Sequence, residues 1–94
     1  MTKSGKSKID QQYLKGLGRR INFLILQKGF SSPYEFWIEK SDDLFSRATL
    51  NYILTGKANP RATTLRAIAE GLGVHLKELL DYEDKAPTYR DPDE

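Results

Sequence analysis

Cysteine is absent from the 94 residues, which excludes disulfides and thiolate metal sites. The chain must hold together by packing, without the cross-links on which small secreted domains rely. Histidine occurs once, as His75, in a position that reads as a helix cap. The Asp42-Asp43 pair has no companion cluster with metal spacing and reads as turn chemistry. There is no nucleophile–base pair and no phosphate-binding glycine loop, so neither an enzyme nor a cofactor or metal site is expected. No apolar run approaches the roughly 20 residues of a membrane span. Lys3, Lys6 and Lys8 are followed by no apolar stretch of the kind a signal peptide needs. A soluble cytoplasmic protein with no membrane partner is the expectation.

What is present is a modest apolar fraction and an uneven charge. At 38% hydrophobic and 30% charged, one small soluble domain with polar ends is expected. Residues 1–80 hold 8 Lys and 5 Arg against 7 acids, or +6, whereas residues 81–94 hold one Lys and one Arg against 6 acids, or −4. A basic body points to a polyanionic partner. Residues 1–12 are expected to be a flexible basic arm, residues 13–81 the folded domain, and residues 82–94, with Pro87 and Pro92, an acidic disordered tail.

Within 13–81 the punctuation predicts five helices and no strand. Tyr13, Leu14, Leu17, Ile21, Leu24 and Ile25 recur at helical spacing, and Lys28-Gly29 supplies a basic end and a glycine stop. Gly18 either weakens this helix or admits another helix at close range. Ser32-Pro33-Tyr34-Glu35 is an N-cap, a proline at the first helical position and a glutamate at the third, a capping box that predicts a helix over 33–40, broken by Ser41-Asp42-Asp43. Ser46 caps a third helix from 47 to 54 or 55, ended by Gly56, with Leu50, Ile53 and Leu54 inward and Arg47, Ala48, Asn51, Tyr52 and Thr55 outward. After Lys57-Ala58-Asn59-Pro60 a fourth helix runs over about 62–71 with Leu65, Ile68, Ala69 and Leu72 inward. Leu76, Leu79 and Leu80 mark a short fifth.

This pattern resembles the phage repressor and Cro superfamily, the XRE family of helix-turn-helix domains. The residues that carry the likeness are Gly56-Lys57-Ala58-Asn59-Pro60, Thr64-Leu65, Ile68-Ala69, Leu72-Gly73-Val74 and Leu79-Leu80, with Leu17-Gly18-Arg19-Arg20-Ile21 resembling the family's first helix. It spans about two-thirds of the chain. The middle departs from the pattern. Phe36-Trp37 stands where members usually carry a Leu-Ala pair, implying a wider or rotated crossing. Residues 40–45 exceed the usual turn by about three residues and lack its glycine. Pro33 replaces a glutamine that often grips DNA. An Arg–Glu pair common in the family falls at Ile25 and Leu54, so that it looks replaced as a unit by apolar residues, an exchange that is often neutral or stabilising.

The resemblance implies an all-α, five-helix repressor-like fold and a DNA-binding transcription regulator acting as a homodimer on double-stranded DNA, at the nucleoid. The recognition helix, about 47–55, would enter the major groove. Base contacts are expected from Arg47, bidentate to guanine; from Ala48, against a thymine methyl; from Asn51, to adenine or else a phosphate; and from Tyr52, unless it packs on the second helix. Ser46, Thr49, Lys57, Asn59 and Arg61 are expected on the sugar–phosphate backbone, with the fourth helix aiming its N-terminal amides at a phosphate. A rival reading is a protein-interaction module on the same fold with little DNA binding, motivated by Tyr34, Phe36, Trp37 and Phe45 as an aromatic patch for a protein partner; another is an antitoxin on that fold, which the acidic tail would serve.

Overall fold

The structure, a computed structural model, describes residues 8–81. Five helices follow one another: α1 (Lys8–Gln27), α2 (Pro33–Lys40), α3 (Arg47–Leu54), α4 (Ala62–Leu72) and α5 (Leu76–Leu79). No strand occurs among the described residues. The fold is all-α, as the periodicity predicts. The remainder of the expected arm, residues 1–7, and the acidic tail, residues 82–94, lie outside the described residues.

The expected arm over 1–12 needs correction, because residues 8–12 are already helical. The apolar pattern starts only at Tyr13, so periodicity is silent about this stretch. Lysine and glutamine are good helix formers, and Asp10 in the first turn complements the positive end of the helix dipole. Tyr13 itself is exposed; the buried stripe of α1 is Leu14, Leu17, Ile21, Leu24 and Ile25, the spacing of one helical face.

That stripe forms the floor of the core. α1 packs on α2, α3 and α5, while α2 also meets α3 and α4. α1 and α3 approach closely at Gly18. A Cβ built on Gly18 would collide with the main-chain carbonyls of Leu54 and Ile53, lying 2.7 Å from the Ile53 oxygen. Glycine here is therefore the close-approach residue rather than a flaw in the helix. From α3 the core receives Leu50 and Ile53, and from α4 Ala67, Ile68, Ala69 and Leu72. Of the leucines marking α5 only Leu79 is buried; Leu76 and Leu80 remain exposed.

The aromatic residues of the middle segment separate. Phe36 is fully buried, edge-on to Phe30 at 5.3 Å and stacked on Phe45 at 6.3 Å. Phe45 is also in the core, and Trp37 is half-buried at its edge. Rings from both sides of the α2–α3 turn thus pack together where α2 meets the core. Within that turn Ser41 is buried and its carbonyl accepts the Leu44 N–H at 2.7 Å, with Asp42 and Asp43 both left-handed at φ 46° and 60°. Positive φ at both central residues is the type I′ pattern, which asparagine, aspartate and glycine tolerate best.

Candidate nucleic-acid interface

Both helices that frame the candidate interface have well-defined starts. The Ser32 hydroxyl oxygen accepts the Glu35 N–H at 3.2 Å, and Pro33 opens α2. The reciprocal half of the expected capping box lands one residue earlier, since Glu35 Oε1 accepts from the Ser31 N–H at 2.8 Å. Ser46 caps α3 by accepting the Thr49 N–H at 3.0 Å, and its hydroxyl donates to Thr49 Oγ1 at 2.9 Å. The Ser46 hydroxyl proton is therefore already committed within the protein, leaving it fewer ways to meet an outside phosphate.

At the other end of α3, Gly56 N–H donates to the Ile53 carbonyl and Lys57 N–H to the Tyr52 carbonyl at 2.8 Å. This pair of bonds is the Schellman arrangement. It requires the left-handed φ of 76° at Gly56, whose added Cβ would also sit 3.0 Å from Lys15 Cα. Local sequence thus fixes both the tip of α3 and the direction in which Lys57 leaves it.

The outward stripe of α3 is the expected one. Arg47, Ala48, Asn51, Tyr52 and Thr55 are exposed, and Thr49 is half-buried. α3 stands as a ridge between two grooves. One, of about 670 Å³, lies between α2 and α3 and is lined by Tyr34, Trp37, Arg47, Ala48, Asn51 and Leu54 among others. The other, of about 360 Å³, lies on the far side and brings together Thr49, Asn59, Arg61 and Thr64 with Phe45 and Pro60. The residues expected to read bases and those expected to hold the backbone are thereby sorted largely to opposite flanks. Tyr52 and Lys57 line neither groove. Tyr52 is 52% exposed and so does not pack away against α2.

Several of these side chains have unused donors. Among the described residues no hydrogen bond or ion pair engages the side chains of Arg47, Asn51, Lys57, Asn59 or Arg61; the one ion pair joins Arg66 to Glu70 at 3.1 Å. No side chain caps α4 at its Arg61 N-cap. Residues 44–69 contain no Asp or Glu but include Arg47, Lys57, Arg61 and Arg66, a signal that charge totals taken over the whole chain obscure. Such a surface attracts anions.

Residue type alone did not single out Tyr34 and Trp37 as part of this site. Their i, i+3 spacing on α2 brings the rings together at 6.0 Å and 25°, and the Arg47 guanidinium carbon lies 4.2 Å from the Tyr34 ring centre. The aromatic patch of the rival reading has meanwhile lost Phe36 and Phe45 to the core.

A family model described as helix-turn-helix matches residues 40–79. This part of the chain is a helix-turn-helix domain of the repressor and Cro type. The match takes in α3, α4 and α5 but only the last residue of α2, which agrees with the aromatic departure there. The family is a DNA-binding one, and the domain is accordingly a DNA-binding regulator in kind. No curated protein and no solved structure matches the chain. No helix among the described residues is long and apolar enough to cross a membrane, and no group of three or more metal-ligating side chains occurs among them.

Proposed function

We propose that the chain is a sequence-specific transcription regulator of the repressor kind, which lays α3 in the major groove of double-stranded DNA. The observation that carries this reading is the α3 ridge: an exposed stripe of Arg47, Ala48, Asn51 and Tyr52, free of acids and flanked by unpaired cations. In it Arg47 reads guanine O6 and N7, Asn51 an adenine edge, Ala48 a thymine methyl and Tyr52 a base edge at the foot of the helix. Thr49, Asn59 and Arg61 hold one backbone strand from the far groove, and Lys57 grips the phosphates beyond Gly56. The Ser46 hydroxyl would meet a phosphate only by turning its proton away from Thr49 Oγ1. The uncapped start of α4 adds its amides to the same backbone.

A single module of this size buries only about 600–1,000 Å² on DNA, so tight binding calls for a homodimer, working in the cytoplasm on nucleoid DNA. Selection of bound duplexes from a random library, followed by footprinting, tests the whole reading. The expected result is a short enriched motif, repeated about 34–36 Å apart if the domain binds as a dimer. Recovery of no enriched sequence at low salt would remove it.

A further inference from the structure

We propose that Tyr34 is a positioning residue for Arg47, so that α2 sets the aim of the side chain assigned to base reading at the tip of α3. The inference rests on the DNA reading above and adds to it a residue outside both the recognition helix and the matched segment. Three contacts form the chain of support. The Trp37 Nε1–H donates to the Phe45 carbonyl at 3.0 Å, tying the ring to the turn just before the Ser46 cap. Tyr34, one helical turn earlier, stacks on Trp37 at 6.0 Å. The Arg47 guanidinium then lies over the Tyr34 ring at 4.2 Å.

Nothing else among the described residues orders Arg47, which has no ion pair or side-chain hydrogen bond there. A ring beneath a guanidinium occupies its face and leaves its in-plane N–H groups free, and those are the groups a guanine O6 and N7 would take up. A free arginine loses several rotamers on binding, and holding it beforehand lowers that loss. The turn between α2 and α3, residues 41–46, is longer than the roughly three or four residues usual in a helix-turn-helix and has no glycine. The aromatic ladder ties α2 to the end of that turn.

The test compares Tyr34→Leu, Tyr34→Phe, Arg47→Ala and the Tyr34→Leu/Arg47→Ala double variant of the full chain. Affinity is measured on the duplex enriched by the parent and on a scrambled duplex. Tyr34 is 46% exposed, and circular dichroism checks that each variant folds. Tyr34→Leu is expected to weaken the enriched duplex roughly three- to fivefold, leave the scrambled one unchanged, and add nothing on the Arg47→Ala background. Tyr34→Phe, which keeps the ring, restores the parent's affinity. In the free protein, ring-current shifts of the Arg47 side-chain protons should persist in Tyr34→Phe and vanish in Tyr34→Leu. Multiplying losses in the double variant, equal weakening of both duplexes, a Tyr34→Phe that behaves like Tyr34→Leu, or unshifted Arg47 protons in the parent each overturn the positioning role while leaving DNA binding intact. Failure to enrich any duplex instead overturns the DNA reading, and the positioning role falls with it.

Discussion

The Arg47 guanidinium lies 4.2 Å from the centre of the Tyr34 ring, so the first residue of α3 is held by the second residue of α2. Helix-turn-helix domains keep their two helices in fixed relation by close packing and a short turn. Here the turn is long, and the relation is kept by rings: Tyr34 on Trp37, Trp37 bonded to the Phe45 carbonyl, and Phe45 stacked on Phe36 in the core. The link from core to interface is continuous, and each step in it can be removed singly.

Trp37→Phe removes one such step while keeping a ring in place. The Phe45 carbonyl would lose the donor now 3.0 Å away in a part-buried position. Leaving an acceptor unsatisfied there costs about 1–2 kcal/mol, and some apolar area is lost as well. Urea unfolding followed by circular dichroism measures it. A midpoint unchanged from the parent would mean that water replaces the indole without loss.

Gly18→Ala sets two effects of opposite sign against each other. Helix propensity alone favours alanine by up to about 1 kcal/mol. The added methyl, however, would meet the Leu54 and Ile53 carbonyls, which are main chain and cannot rotate away. Overpacking of this kind costs about 1–3 kcal/mol, and the collision lies at the most extensive helix contact in the fold. Net destabilisation of about 1–2 kcal/mol is expected. A stabilised variant would show that α1 and α3 separate freely.

In the α2–α3 turn, Asp42 and Asp43 hold φ values of 46° and 60°. The left-handed region costs an L-residue roughly 1–2 kcal/mol, less for aspartate, whereas glycine pays only in unfolded-chain entropy. Asp43→Gly is therefore expected to be neutral or stabilising by up to about 0.5 kcal/mol, and Asp43→Val to destabilise by about 1–2 kcal/mol. Thermal melts of the pair decide the point. Equal melting temperatures for the two variants would contradict a left-handed residue at 43.

The starts of α2 and α3 and the ends of α3 and α4 were legible because caps are local: serine with proline and glutamate at Ser32, serine at Ser46, and glycine at Gly56 and Gly73 each act within one turn. The start of α1 was not, since residues 8–12 carry helix formers without an apolar stripe. The outward stripe of α3 followed from periodicity alone. Which aromatic residues enter the core could not follow, because Tyr34, Phe36, Trp37 and Phe45 are alike in type and their fates depend on how a long turn folds back. The contact between Tyr34 and Arg47 spans that same turn, and it arises only once the two helices are placed.

Arg47 and Lys57 are both exposed cations beside α3, yet they are expected to fail differently when removed. Arg47 sits one residue past the Ser46 cap, on the helix end assigned to the groove floor, where a bidentate guanine contact gives about 1–3 kcal/mol of discrimination. Lys57 follows the Schellman turn and is assigned to the DNA backbone, where a phosphate contact carries no sequence information. Arg47→Ala should therefore weaken the enriched duplex far more than a scrambled one and relax preference at one base pair. Lys57→Ala should weaken both about equally and flatten the slope of log affinity against log salt by roughly one unit. Titrations at several salt concentrations, against single-base variants of the enriched duplex, separate the two. If both substitutions weaken every duplex alike and flatten the slope alike, Arg47 is a phosphate contact. Base reading would then rest with Asn51, whose carboxamide has no hydrogen-bond partner among the described residues, and with the exposed Tyr52.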